Sequence, residues 1–142
     1  MNTSLQKLDL IDLISERHVS LRNLCEKAWN ESSEIPISNS EWFIMARIYK
    51  KQPTISYVSK HVDISRQATH KFIKKLESKG LVTIQNVEHN NKDKCLQLTA
   101  LGEECYEKNE AFKEELIKKI ANQIGENNLA LLHTILKMDW GL

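Results

Sequence analysis

The chain has 142 residues, enough for one domain of ordinary size, and its 41% hydrophobic and 27% charged residues can supply both a core and a hydrated surface. No apolar run approaches the roughly 20 residues that span a bilayer. Residues 1–7 also lack the apolar block of a secretory signal, so a cytoplasmic protein with no membrane partner is expected. The net charge of +1 conceals an asymmetry: residues 47–94 carry eleven Lys and Arg against four Asp and Glu, a net of +7, and the remainder is at −6. A basic middle between acidic ends predicts one segment that faces a polyanion.

In chain order, residues 5–30 predict a long helix, because Leu8, Ile11, Ile14, Leu21, Cys25 and Ala28 recur at helical spacing. Leu10, Leu13 and Leu24 widen that stripe beyond what an exposed helix of a monomer carries, so it calls for a partner surface. Residues 30–36 read as a loop ended by Pro36. Ser38-Asn39-Ser40-Glu41 has the form of a capping box and opens a second helix, with Trp42, Ile44, Met45, Ile48 and Tyr49 as its apolar face and Gln52-Pro53 as its stop. Thr54 caps a short third helix over 55–62, and after a turn at Asp63-Ile64, Ser65 caps a fourth that runs to about Lys79 and ends at Gly80.

Residues 81–87 and 95–98 predict the two strands of a hairpin joined by a polar turn over 89–94. Thr99 caps a fifth helix to about Ile124, Gly125 breaks it, and residues 126–139 form a sixth with Leu129, Leu132, Ile135, Leu136 and Met138. The fold class is mainly α with a small β-hairpin. The single domain 1–142 divides into dimerisation helices at 1–36 and 103–142 and a winged helix-turn-helix at 38–102.

The order of short helix, tight turn, basic helix and hairpin is that of a helix-turn-helix followed by a wing, whose second helix enters the DNA major groove. Thr69, Phe72, Ile73 and Leu76 fall on one face of the fourth helix and pack inward. Ser65, Arg66, Gln67, Ala68, His70, Lys71, Lys74 and Lys75 are the candidate DNA-binding residues. Arg66, Gln67, Ala68 and His70 lie in the first turns, where base edges come within reach, whereas Lys71, Lys74 and Lys75 suit phosphates. The helix start at Ser65 adds backbone N–H groups for a phosphate. In the wing, Asn90, Lys92 and Lys94 are the candidates.

Val58-Ser59-Lys60-His61-Val62-Asp63-Ile64-Ser65, followed by residues 72–82, resembles the helix-turn-helix of MarR-family transcriptional regulators. Leu96-Gln97-Leu98-Thr99-Ala100-Leu101-Gly102 is similar to that family's LxLTxxG junction between strand and helix. The resemblance covers nearly the whole chain, because the flanking helices fall where the family has its dimerisation helices. It implies binding of double-stranded DNA as a homodimer on an inverted-repeat operator, typically as a repressor. It also implies a small lipophilic or phenolic effector, for which Trp29, Trp42 and Phe43 are the candidate pocket residues.

The chain departs from the family at Asn90-Asn91-Lys92, where wings carry Asp-x-Arg; a Lys there predicts phosphate contact in place of minor-groove readout. Ile84 stands where an Arg is frequent, and Asp63 replaces a frequent turn Gly. The weakened wing also leaves room for a second reading, a winged helix that pairs with a protein and acts as an antirepressor.

An enzyme is not expected, for the chain lacks a phosphate loop, HExxH and GxSxG. Five scattered histidines predict no metal, and no cofactor is implied. Cys25, Cys95 and Cys105 lack CxxC spacing and fit reduced thiols, with Cys25 read as a buried inert residue in spite of its place near the reactive cysteine of thiol-sensing relatives.

Overall fold

The computed structural model describes residues 5–87 and 90–142, and for residues 87 and 90–92 the backbone alone. A 3-10 turn at Leu5–Lys7 precedes α1 (Leu10–Ser32), α2 (Asn39–Ile48), α3 (Ile55–His61), α4 (Arg66–Ser78), β1 (Val82–Val87), β2 (Asn90–Leu98), α5 (Ala100–Ile124) and α6 (Glu126–Lys137). This is the predicted class: helices around one antiparallel two-stranded hairpin. Two compact units are present, Met1–Asn109 and Glu110–Leu142, with the division inside α5. Among the described residues no helix is long and apolar enough to cross a membrane.

Side-chain oxygens start α1 to α5, whereas α6 begins at Gly125 without one. Ser38 accepts from Glu41 N at 3.2 Å while Glu41 Oε1 accepts from Ser38 N at 3.1 Å, the reciprocal box read from sequence. Thr54 caps α3 through Tyr57 N at 3.1 Å. The first helix begins later than expected, at Leu10, because Asp9 accepts from Asp12 N at 2.9 Å and sets a fresh N-cap. The second helix ends earlier than Gln52-Pro53: Tyr49 is its C-cap, and Lys50 takes a left-handed conformation at φ 56°. The second strand is longer than expected and takes in most of the predicted polar turn, since ladder bonding asks nothing of the exposed side chains.

The core lies in the unit Met1–Asn109. Ile44, Met45 and Ile48 from α2, Val58 from α3, Ile73 and Leu76 from α4, Leu81 just before β1 and Leu96 within β2 are fully buried. Each such side chain contributes about 1.5–3 kcal/mol. The hairpin pairs Val82 with Leu98 and Ile84 with Leu96, which turns alternate side chains onto the helices. Pro53-Thr54 runs along its outer edge, with Leu96 N donating to Pro53 O at 2.8 Å.

The LxLTxxG junction has a physical explanation. Thr99 Oγ1 donates to Gly80 O at 2.6 Å and accepts from Gly102 N at 3.0 Å, while Thr99 N donates to Leu81 O at 3.0 Å. These bonds bring the first turn of α5 so close to Leu81 that a Cβ on Gly102 would stand 2.1 Å from Leu81 O. Gly80, at φ 76°, turns the chain out of α4 into this contact.

Candidate nucleic-acid interface

The third and fourth helices meet through a tight turn at Asp63-Ile64. Ser65 Oγ accepts from Ala68 N at 3.1 Å, and Thr69 Oγ1 donates back to Ser65 O at 2.9 Å. That cap leaves the N–H groups of Arg66 and Gln67 at the positive end of α4 without intrahelical acceptors. Thr69, Ile73 and Leu76 are buried as expected and Phe72 is half-buried, with Lys75 Nζ 5.5 Å from its ring centroid. Arg66, Gln67, His70, Lys71, Lys74 and Lys75 are all exposed. Ala68 is half-buried.

The exposed residues fall into two sets. Arg66, His70 and Lys74, one turn apart, line a crevice of about 290 Å³ whose other walls are Ile55 and Ser56 of α3 and Ile84, Asp93 and Lys94 of the hairpin. Gln67 and Lys71 lie opposite the buried stripe, on the outermost ridge. The surface therefore combines a cation-lined crevice with an outward polar ridge, and a DNA duplex likewise presents phosphates that border a groove. Local ion pairing leaves the cations available: Lys74 Nζ stands 3.7 Å from Glu77 in an exposed contact of the weakest kind. Asp93 is the counter-charge in the crevice wall, held by Ser56 Oγ at 3.5 Å and Lys94 N at 2.9 Å.

In the wing, Lys94 is exposed on β2. The side chains of Asn90 and Lys92 lie outside the described residues. Sequence reasoning missed that Ile55 and Ser56 of α3 wall the crevice beside α4, and that α3 carries an exposed aromatic pair. Tyr57, 44% exposed, stacks on His61 with ring centroids 4.0 Å apart, and His61 Nδ1 lies 2.7 Å from Tyr57 O. Lys60 is exposed on the same helix; an exposed aromatic one helical turn before a histidine was the available signal.

Of the candidate effector residues, the structure brings Trp29 and Trp42 together as a T-shaped pair with centroids 4.9 Å apart, 1% and 6% exposed. Trp29 Nε1 donates to Ile35 O at 2.7 Å. Phe43 is half-buried, with the Arg22 guanidinium 4.5 Å from its ring centroid. Cys25 is half-buried, less covered than expected, because α1 buries little besides Trp29. Burial pushes the Cys105 thiol pKa up.

No protein-family model and no curated protein matches this chain. Solved structures do. A mutant of MarR from E. coli complexed with operator DNA superposes with a TM-score of 0.78 at 16% identity, covering 96% of this chain and 97% of that one. FabT from Streptococcus pneumoniae in complex with DNA gives 0.71 at 24% identity over 89% and 92% of the two chains. The fold is that of the MarR regulators. NadR in complex with 4-hydroxyphenylacetate shares it, with a TM-score of 0.70 and 23% identity over 94% and 96%. In MarR terms, α3 and α4 are the helix-turn-helix, and β1 and β2 are the wing.

Proposed function

We propose that this protein is a cytoplasmic MarR-family transcriptional regulator that binds double-stranded DNA sequence-specifically, as a homodimer on an inverted-repeat operator, and represses the genes beside it. The observation that carries this reading is the exposed face of α4, where Gln67 and Lys71 form a ridge flanked by the crevice of Arg66, His70 and Lys74. Arg66 and Gln67 read base edges, while Lys71, Lys74, Lys75 and the helix start at Ser65 hold phosphates. Lys92 and Lys94 of the wing, with Asn90, reach the backbone beyond. MarR and FabT, which share the fold, have been solved with DNA.

The homodimer rests on exposed apolar side chains. Leu10 is 67% and Ile11 75% exposed on α1, and Leu131 and Leu136 of α6 are 57% and 56% exposed. Such surfaces are rare on monomers, and a two-fold partner also supplies the second recognition helix that an inverted repeat requires. Release by a small phenolic effector is a second reading, favoured by NadR and its 4-hydroxyphenylacetate. Trp29, Trp42 and Phe43 are its candidate contacts.

Selection of genomic duplexes by the purified protein, then titration of the best one at two salt concentrations, tests the function. The expected result is a palindromic site bound by a dimer, with a log–log salt slope of about −5 or steeper. Weak binding without sequence selection would favour an antirepressor that pairs with a protein.

A further inference from the structure

Lys79, at the C-terminal end of α4, converges on three acceptors. Its Nζ donates to both Glu41 carboxylate oxygens at 2.8 Å and to Pro36 O at 2.6 Å. Glu41 is 3% exposed and accepts in addition from Ser38 N. Pro36 belongs to the connection between α1 and α2, which is itself bound to the last turn of α1. Trp29 Nε1 donates to Ile35 O at 2.7 Å, Ser33 N to Trp29 O at 3.0 Å, and Ile35 N to Ser33 Oγ at 3.2 Å. A short run of hydrogen bonds and one ion pair, its Glu41 buried and its Lys79 half-buried, thus leads from the end of α1 to the end of α4.

An ion pair with one partner buried is a weak source of stability, since withdrawing that charge from water offsets much of the attraction, but it specifies registry well because the buried carboxylate has few other partners. The α4 cap at Ser65 is local by contrast, made within the helix's own first turn. Among the described residues, Lys79 therefore links α4 by side-chain charge to the segment that follows α1.

We propose that Lys79 and Glu41 are positioning residues that fix the pose of α4 relative to α1, and so set the half-site spacing the homodimer reads. The inference rests on the dimeric DNA-binding reading above. In such a dimer α1 lies toward the two-fold axis, and any rotation of α4 against α1 is doubled in the separation of the two recognition helices. The tolerance is small, because one base pair moves a half-site by about 3.4 Å and turns it by about 35°.

The test uses the full-length protein and duplexes carrying two selected half-sites with the spacer lengthened or shortened by one and two base pairs, beside a duplex with one half-site. The variant is the double substitution Glu41→Gln with Lys79→Met, which removes both charges and leaves neither unpaired; Lys79→Met alone is run beside it with thermal unfolding of each. Wild type is expected to prefer one spacer. The double variant is expected to keep single half-site affinity within about twofold, while its spacer preference falls on the order of tenfold. Lys79→Met is expected to lose the same preference and to unfold at lower temperature. A folded double variant with an unchanged spacer preference would overturn the inference. So would equal losses on the single and paired half-sites, the sign of a merely structural role. A wild type that selects one half-site without a spaced second copy would instead overturn the dimeric reading, and this inference with it.

Discussion

Two helices of the unit Met1–Asn109 carry comparable apolar stripes and meet different fates. The second helix, 10 residues long, buries Glu41, Trp42, Ile44, Met45 and Ile48; the first, 23 residues long, buries Trp29. Both were recognised from the same periodicity. The difference lies in which neighbours arrive: α3, α4 and β2 pack against α2, whereas Leu10, Ile11, Ile14 and Leu24 stay open to solvent. Periodicity identifies a helix and its apolar face, and tertiary topology decides whether the same chain covers that face.

The well-covered region is most sensitive at Gly102. Replacing it with Ala places a methyl carbon 2.1 Å from Leu81 O, a backbone atom that the Thr99 bonds hold in place. We expect a loss of about 3 kcal/mol or more in urea unfolding, from the junction being forced apart. Gly80→Ala provides the contrast. A Cβ there has nothing within 4 Å, so only its φ of 76° opposes the substitution, at about 1–2 kcal/mol. Equal losses at the two sites would show that close approach is not what the junction requires.

Much of this region was legible in the sequence because its determinants are local. Ser38, Thr54 and Ser65 announce helix starts within three residues of the groups they cap, and Thr99 and Gly102 sit together in one motif. The outward residues of α4 were legible for the same reason, since three buried positions fix the rest of the helix. What could not be read was distant or conformational. Lys79 and Glu41 are 38 residues apart, Asp93 meets Ser56 across 37, and neither pair has a local pattern. The early end of α2 was missed because Lys50 adopts a conformation that its residue type disfavours.

The open region can be probed with Ile11→Asp. In a lone chain, a side chain 75% exposed tolerates the change within about 0.5 kcal/mol. In the proposed dimer it places a charge in the interface, and the dissociation constant should rise about 30-fold, the equivalent of about 2 kcal/mol. Sedimentation equilibrium and urea unfolding at low protein concentration separate the two effects. If unfolding stability falls while self-association is unchanged, α1 is covered within its own chain and the contrast with α2 disappears.

A smaller effect of opposite sign is expected at the end of α2. Lys50 at φ 56° carries the cost of a Cβ in the left-handed region, about 1–2 kcal/mol. Glycine removes that cost and offsets part of the gain through the greater freedom of the unfolded chain. The exposed contact of Lys50 Nζ with the Tyr49 ring, 5.4 Å from its centroid, adds little to the balance. Lys50→Gly should therefore stabilise the protein by about 0.5–1 kcal/mol, seen as a rise of about 3 °C in Tm. A fall in Tm would mean that Lys50 is held by interactions worth more than its backbone strain.

The smallest effect expected is alkaline. Tyr49 Oη donates to Glu107 Oε1 at 2.7 Å, joining the residue after α2 to α5, and its ring meets that of Tyr106 at a tilt of 35° with centroids 4.5 Å apart. This hydrogen bond, aided by burial and by the charges of Glu107 and Glu103, pushes the Tyr49 pKa from 10.0 up to about 12. The folded state therefore holds the phenolic proton more tightly than the unfolded chain does. The stabilisation is complete below about pH 10 and is lost as pH rises from there toward 12. Absorbance at alkaline pH should show a late tyrosine ionisation near 12, which Tyr49→Phe removes. Glu107→Gln keeps an acceptor and removes the charge, so the late tyrosine should move back toward 10. If Tyr49 titrates late in that variant as well, the delay comes from burial rather than from the carboxylate. The contact between the end of α2 and α5 would then be closed by packing alone, as the core beneath it is.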